Sequence, residues 1–175
     1  MKIGNMSIVD LAVYLSDYLR KNGIETVLSG GACVTIYTEN KYVSYDLDFV
    51  LVSFVNQKKI EKILLNIGFH ITGKYFKHEE TPYFVEFLSP PLSVGAEPVK
   101  EISEIIKEDK VLKLLSPTDC VKDRLAAYYF LNDRQSLDQA ILVCRNNPVN
   151  LNEVKRWSKN ENMENKFRLF QSRLR

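Results

Sequence analysis

Apolar residues recur with two different periods along this chain, and the switches between them mark its elements. Ile8, Leu11, Ala12, Leu15, Tyr18 and Leu19 follow helical spacing; Ser7 and Asp10 form a capping signature ahead of them, and Gly23 offers a stop. Glu25 to Leu28 reads as a short strand running towards Gly30-Gly31, and a short helix is expected from Gly31 to about Thr38. From Tyr42 the period falls to two. The run YVSYDLDFVLV places Asp46, Asp48, Val50 and Val52 on one face and Leu47, Phe49 and Leu51 on the other. Asn56 to Asn66 returns to helical spacing and closes against Gly68.

Residues 69–76 and 83–88 then read as strands, separated by a polar turn over 77–81, and Pro90-Pro91 ends the second. Ile102–Lys107 reads as a brief helix and Val111–Leu115 as a strand. Ser116-Pro117-Thr118-Asp119 supplies a cap, a first-turn proline and an N3 carboxylate for a helix bearing Val121, Leu125, Tyr128 and Tyr129. A further helix is expected from near Asp133 to a break around Pro148, and a terminal helix from near Asn152. This order predicts an α+β (mixed α/β) fold: a small mixed sheet flanked by helices. Residues 1–115 would form the core and 116–175 a helical extension packed on it.

The 175 residues suffice for a sizeable core, and 45% hydrophobic with 26% charged residues excludes wholesale disorder. A net charge of +2 does not by itself imply nucleic-acid binding, but the charge is uneven. Residues 151–175 hold seven basic against three acidic side chains, leaving a slight acidic excess elsewhere. Such a tail could meet RNA, DNA or an acidic protein, or be the solvated face of a helix. Trp157 within it could stack on a base, anchor a partner, or pack on its own domain. Cys33, Cys120 and Cys144 show neither metal-ligand spacing nor disulfide parity, which suits a reducing compartment. No apolar run approaches the roughly 18 residues of a membrane span. The start MKIGNMSIVDLAVYL lacks the apolar core of an export signal, so a cytoplasmic protein without a membrane segment is expected.

Asp46-Leu47-Asp48 carries the clearest chemistry. Two aspartates on one strand face repel, and a hard divalent cation relieves that repulsion; the same pattern also fits a polar face that meets water. Glu86 lies in the otherwise apolar TPYFVEFLS and, on a neighbouring strand, would complete a three-carboxylate cluster able to hold two metal ions. Alone, it could equally be the guarding charge of an edge strand. Ser29-Gly30-Gly31, between strand and helix, can turn tightly and offer backbone N–H groups to phosphate oxygens, with Ser29 as an auxiliary contact. Asp119, Lys122 and Asp123 share a helical face and could form an ordinary ion network. Neither a zinc site from His70 and His78 nor a nucleophilic Cys33 is expected.

Strand, Gly-Gly, helix, Asp-x-Asp strand and later carboxylate strand together resemble the nucleotidyltransferase superfamily related to DNA polymerase beta. LSGG, YDLDF and VEF carry the likeness over residues 24–88, with Asp46 fifteen positions after Gly31. GGACVTIYT, YVSYDLDFV and SPTDCVKDRLAAYYFLNDRQSLDQA extend it, to about residue 145, towards the toxin nucleotidyltransferases of abortive-infection type IV systems. The resemblance implies that Asp46, Asp48 and Glu86 bind two Mg²⁺ ions (or Mn²⁺), with Glu86 helping to activate the acceptor hydroxyl. It gives Gly30 and Gly31 the triphosphate pocket, Lys122 a phosphate contact, and Asp123 a supporting role. The implied substrate is an NTP and the acceptor RNA or protein, with an antitoxin as partner. Gly31 stands where many relatives have serine. Ser44 fills the Thr/Ser place before the carboxylates, but Tyr42 stands at a usually basic position. Those departures motivate the other reading, a degenerate nucleotide-binding or toxin–antitoxin interaction module.

Overall fold

The computed structural model describes residues 2–174. Ser7 Oγ accepts the Asp10 N–H at 3.2 Å and starts α1 (Ile8–Lys21), whose Leu11, Leu15 and Leu19 are fully buried. The chain reverses through Gly23 into β1 (Thr26–Ser29), and α2 (Gly30–Tyr37) leaves directly from that strand's end. Next come β2 (Asp46–Leu51), α3 (Gln57–Leu65), β3 (His70–Thr72), β4 (Tyr75–Lys77) and β5 (Phe84–Leu88). A two-strand ribbon, β6 (Ser93–Val94) and β7 (Glu97–Pro98), precedes the hairpin β8 (Ile102–Lys107) and β9 (Lys110–Leu115). Helices α4 (Pro117–Leu131), α5 (Arg134–Asn146), α6 (Leu151–Asn160) and α7 (Glu164–Leu174) complete the order.

Seven strands form one mixed sheet in the order β3-β4-β5-β2-β1-β9-β8, as the α+β expectation required. The pairing of the central strands positions the candidate site. β1 runs antiparallel to β2, β2 runs parallel to β5, and β1 also pairs in parallel with β9. Leu47, Phe49 and Leu51 turn into the core beside Val85 and Phe76, as their alternation predicts. Burying one such large apolar side chain contributes about 1.5–3 kcal/mol. The C-terminal helices add Val121, Val154, Trp157 and Phe170 to the same apolar cluster. Among the described residues, no helix is long and apolar enough to cross a membrane.

Four expectations need correction. Residues 69–76 are not one strand: Gly73, at φ +64°, breaks them into the tight hairpin β3–β4 with Lys74 at its tip. Ile102–Lys107 is not a helix but β8, in register with β9 along its whole length from Ile102↔Leu115 to Lys107↔Lys110. Its three isoleucines favour extended backbone, and the helical pattern in so short a segment carried little information. The terminal segment is two helices rather than one, because the chain turns at Asn162 with φ +60°. Strand β2 also begins at Asp46 rather than Tyr42, because ladder pairing to β5 starts only at Asp46↔Phe84.

Candidate active site

The register across the sheet assembles the carboxylates. Asp48 stands opposite Ser29 of β1 on one side and opposite Glu86 of β5 on the other. Paired residues point to the same face and neighbouring strands lie about 4.8 Å apart, so Glu86, Asp48 and, two residues back, Asp46 share one surface. Asp46 is exposed, whereas Asp48 and Glu86 are partly covered. Burial is the main force that pushes the Asp48 carboxyl up to about 6. Arg124 opposes the rise, and the negative charges of Glu86, Asp123 and Asp46 add to it.

The glycine turn is built against this cluster. Gly30 has φ +69°, and a Cβ placed there would come within 2.1 Å of Asp48 Oδ2. No L-residue with a side chain fits without moving the aspartate. Ser29, the residue before α2, leaves the helix start without a side-chain cap; its hydroxyl donates instead to the Asp48 carbonyl at 3.2 Å. A Cβ at Gly31 would lie 3.0 Å from Ser44 Oγ and 3.5 Å from Tyr42 Cε1. A side chain at Gly31 would require Ser44 to give way by a few tenths of an ångström.

Ser44 braces the strand entry. Its Oγ accepts the Asp46 N–H and donates to the Asp46 carbonyl, both at 3.2 Å. Its own N–H donates to Thr35 Oγ1 at 2.9 Å, and that hydroxyl donates to the Gly31 carbonyl at 3.2 Å. The chain Gly31–Thr35–Ser44–Asp46 therefore ties the glycine turn to the first carboxylate. Thr35 carried no signal in the sequence, because a threonine inside a short apolar helix ordinarily only bonds back to its own turn.

The cations are distributed differently from expectation. Lys122 does not face the carboxylate surface. Its ammonium is buried between Asp119 Oδ1 at 3.1 Å and Glu153 Oε1 at 2.7 Å, in a cavity of about 300 Å³ lined also by Ser116, Asn150 and Arg156. Two neighbouring α4 residues meet the site instead. Asp123 and Arg124 both act on Asp48 through their charge. The Arg124 guanidinium donates to Asp123 Oδ2 at 3.0 and 2.6 Å and to Gln139 at 3.4 Å. Burial works against its charge, but Asp123 and Asp48 hold its pKa above the usual arginine value. Helical geometry explains the inversion: residues two apart on a helix point to nearly opposite sides, so Lys122 and Arg124 cannot serve the same surface. A second cation comes from the hairpin tip, where Lys74 Nζ lies 2.9 Å from Glu86 Oε2 and 4.8 Å from the Tyr75 ring centroid.

The donor set suits a hard divalent cation: carboxylate oxygens on one sheet face, with negative charge in excess around Asp48. Among the described residues, however, no group of three or more His, Cys, Asp or Glu side chains already converges on one point. Glu86 is engaged by Lys74. Asp46, Asp48 and Glu86 therefore share one sheet face and have oxygen donors of the right kind, without converging as a metal cage. The remaining candidates serve packing. Burial, with Cys120 alongside, drives the Cys33 thiol up and leaves it inert. His78 packs on the Phe69 ring with centroids 5.1 Å apart and accepts the Glu80 N–H. Trp157 is fully buried, stacked on Tyr129 at 5.6 Å and donating to the Val94 carbonyl at 3.1 Å.

A glycine turn leading from a strand into a helix, against an antiparallel Asp-x-Asp strand with a parallel carboxylate strand beyond it, is a nucleotidyltransferase-type fold. Among solved structures, the chain is similar to an antigenic nucleotidyltransferase-like protein from Paracoccidioides brasiliensis. Identity there is 14% at a TM-score of 0.59, over 78% of this chain and 74% of that one. It is also similar to the antibiotic-resistance factor ANT(2'')-Ia in solution, at 10% identity and TM-score 0.59, covering 99% of this chain and 96% of that one. ANT(2'')-Ia in complex with adenylyl-2''-tobramycin matches at 12% identity and TM-score 0.53, over 96% and 98% of the two chains. No family profile matches the sequence, and no curated protein does.

Proposed function

We propose that this protein transfers a nucleoside monophosphate from an NTP to a hydroxyl group of RNA or protein and releases pyrophosphate. The observation that carries the reading is the alignment Ser29–Asp48–Glu86 across three strands, with Gly30 pressed against Asp48. Two Mg²⁺ ions (or Mn²⁺) held by Asp46, Asp48 and Glu86 would neutralise phosphate charge and make the acceptor oxygen more nucleophilic. The chain's own groups do the rest. Backbone N–H groups at the uncapped start of α2, around Gly30 and Gly31, receive the triphosphate, with Ser29 beside them. Arg124, held by Asp123, supplies a fixed positive charge near Asp48. The acceptor oxygen bonds to the α-phosphorus as the bond to the β-phosphate oxygen breaks, and Glu86 takes the hydroxyl proton.

Incubation with each α-labelled NTP, Mg²⁺ or Mn²⁺, and total RNA or cell extract should give a covalently labelled product. It should vanish when Asp46 and Asp48 are both changed to Asn. Labelling that survives the double change would overturn the carboxylate mechanism. Tyr42 and Ser44 crowding Gly31, where a phosphate-binding hydroxyl is common, favours a second reading: a module that binds nucleotide, or an antitoxin protein, without transfer. Tight NTP or partner binding with no labelling of any acceptor would select it.

A further inference from the structure

Glu86 is the only one of the three site carboxylates that forms an ion pair among the described residues, and its partner comes from outside the central strands. Lys74 sits at the tip of the β3–β4 hairpin, placed there by the turn at Gly73. Its side chain is 62% exposed, whereas that of Glu86 is only 17% exposed, and the ammonium meets Oε2 at 2.9 Å. Two features make this contact easy to exchange. A lysine so exposed keeps most of its hydration, so the pair itself contributes little to stability. The Tyr75 ring, 4.8 Å from the ammonium in the same arrangement, is a contact the cation can keep when it leaves Oε2.

We propose that Lys74 is the resident counter-ion of the metal site: it holds Glu86 while no divalent ion is bound, and a metal ion competes with it for that carboxylate. This inference rests on the metal-dependent reading above. The physical ground is charge. An ion ligated by Glu86 lies within about 5 Å of an ammonium still attached to that carboxylate, and like charges at that distance repel even in water. Metal entry therefore favours departure of the ammonium from Oε2, and the exposed hairpin tip lets it leave. Lys74 acts through Glu86 and is a positioning residue.

The test is direct Mn²⁺ binding, read as loss of the free-ion signal in electron paramagnetic resonance, on folded wild type, Lys74→Met, Lys74→Arg and Glu86→Gln proteins. Removing the competing charge should tighten Mn²⁺ binding about fivefold in Lys74→Met. Lys74→Arg, which keeps the charge, should stay close to wild type, and Glu86→Gln should bind more weakly. A merely structural lysine would give weaker or unchanged binding in Lys74→Met, and either result overturns the proposal while leaving the metal site standing. If wild type and all three variants melt normally yet none takes up Mn²⁺, the metal-dependent reading falls, and the counter-ion role with it.

Discussion

Two groups of charged side chains lie on different sides of α4, and they are put together on opposite lines. Around Lys122, the ammonium is shared by Asp119 and Glu153, while Arg156 bridges Glu153 at 2.6 Å and Glu97 at 2.5 Å. Each carboxylate there has a donor. Hydrogen bonds from Arg156, first of all, bring Glu97 and Glu153 down to about 2. Around Asp48, four carboxylates (Asp46, Asp48, Glu86 and Asp123) are offset among the described residues by Arg124 and Lys74, and the Asp48 carboxyl moves up to about 6. The first group pairs every one of its carboxylates with a cation and fastens α4, α6 and the β6–β7 ribbon together. The second is left with surplus negative charge, which burial and mutual repulsion make costly.

The comparison can be broken most forcefully at Asp48. Changing Asp46 and Asp48 together to Asn should reduce nucleotide transfer by about a thousandfold or more, since charge stabilisation of the transition state is lost. The metal-free double variant should nevertheless melt higher than wild type, by about 2–4 °C for each ~1 kcal/mol of repulsion relieved. A lower melting point would mean that the carboxylates stabilise the fold and carry no functional strain.

On the other side of α4 the sign reverses. Lys122→Met leaves Asp119 without its cation and Glu153 with Arg156 alone, and should destabilise the protein by about 3 kcal/mol in urea unfolding. In the fraction that remains folded, NTP affinity should be unchanged, whereas Arg124→Met should weaken it. Equal loss of NTP binding in both variants would return Lys122 to the phosphate site.

Gly30→Ala probes the turn itself. Its positive φ and the 2.1 Å approach to Asp48 Oδ2 together call for a loss of about 1–3 kcal/mol, with Asp48 displaced. Restoration of that loss by Asp48→Ala would locate the clash, and its absence would assign the cost to the backbone alone.

The smallest effect concerns pH. Glu97 and Glu153 have folded values near 2, below the ordinary 4.5, so their pairing stabilises the protein fully above the ordinary value. That contribution fades as pH falls from about 4.5 towards 2. Arg156→Met should flatten the fall in melting temperature over this window; an unaltered slope would show that these exposed pairs are screened out.

Much of this was readable in the chain. Capping signatures at Ser7 and Ser116, the alternation through Asp46 and Asp48, and the glycines before α2 each name a local conformation, and each stands where local physics puts it. What escaped was non-local. Ile102–Lys107 becomes a strand only because β9 lies beside it, and the Gly73-Lys74 turn is visible only once β4 pairs with β5. Lys122 and Arg124 share a helix, and their sequence positions do not say which side meets Asp48. Lys74, twelve residues from Glu86 in sequence, reaches it across a hairpin and a strand that no motif connects.

Trp157 and Phe170, both fully sealed from solvent, have a bearing on how the protein is made. A ribosome that has released only the first 150 residues has already delivered every strand and all three site carboxylates, but not the indole that stacks on Tyr129 or the phenyl ring that closes the core. Until α6 and α7 are made, the apolar sides of α4 and α5 stand open to solvent and to other chains. Completion of the core thus waits on α6 and α7, far in sequence from Asp46, Asp48 and Glu86.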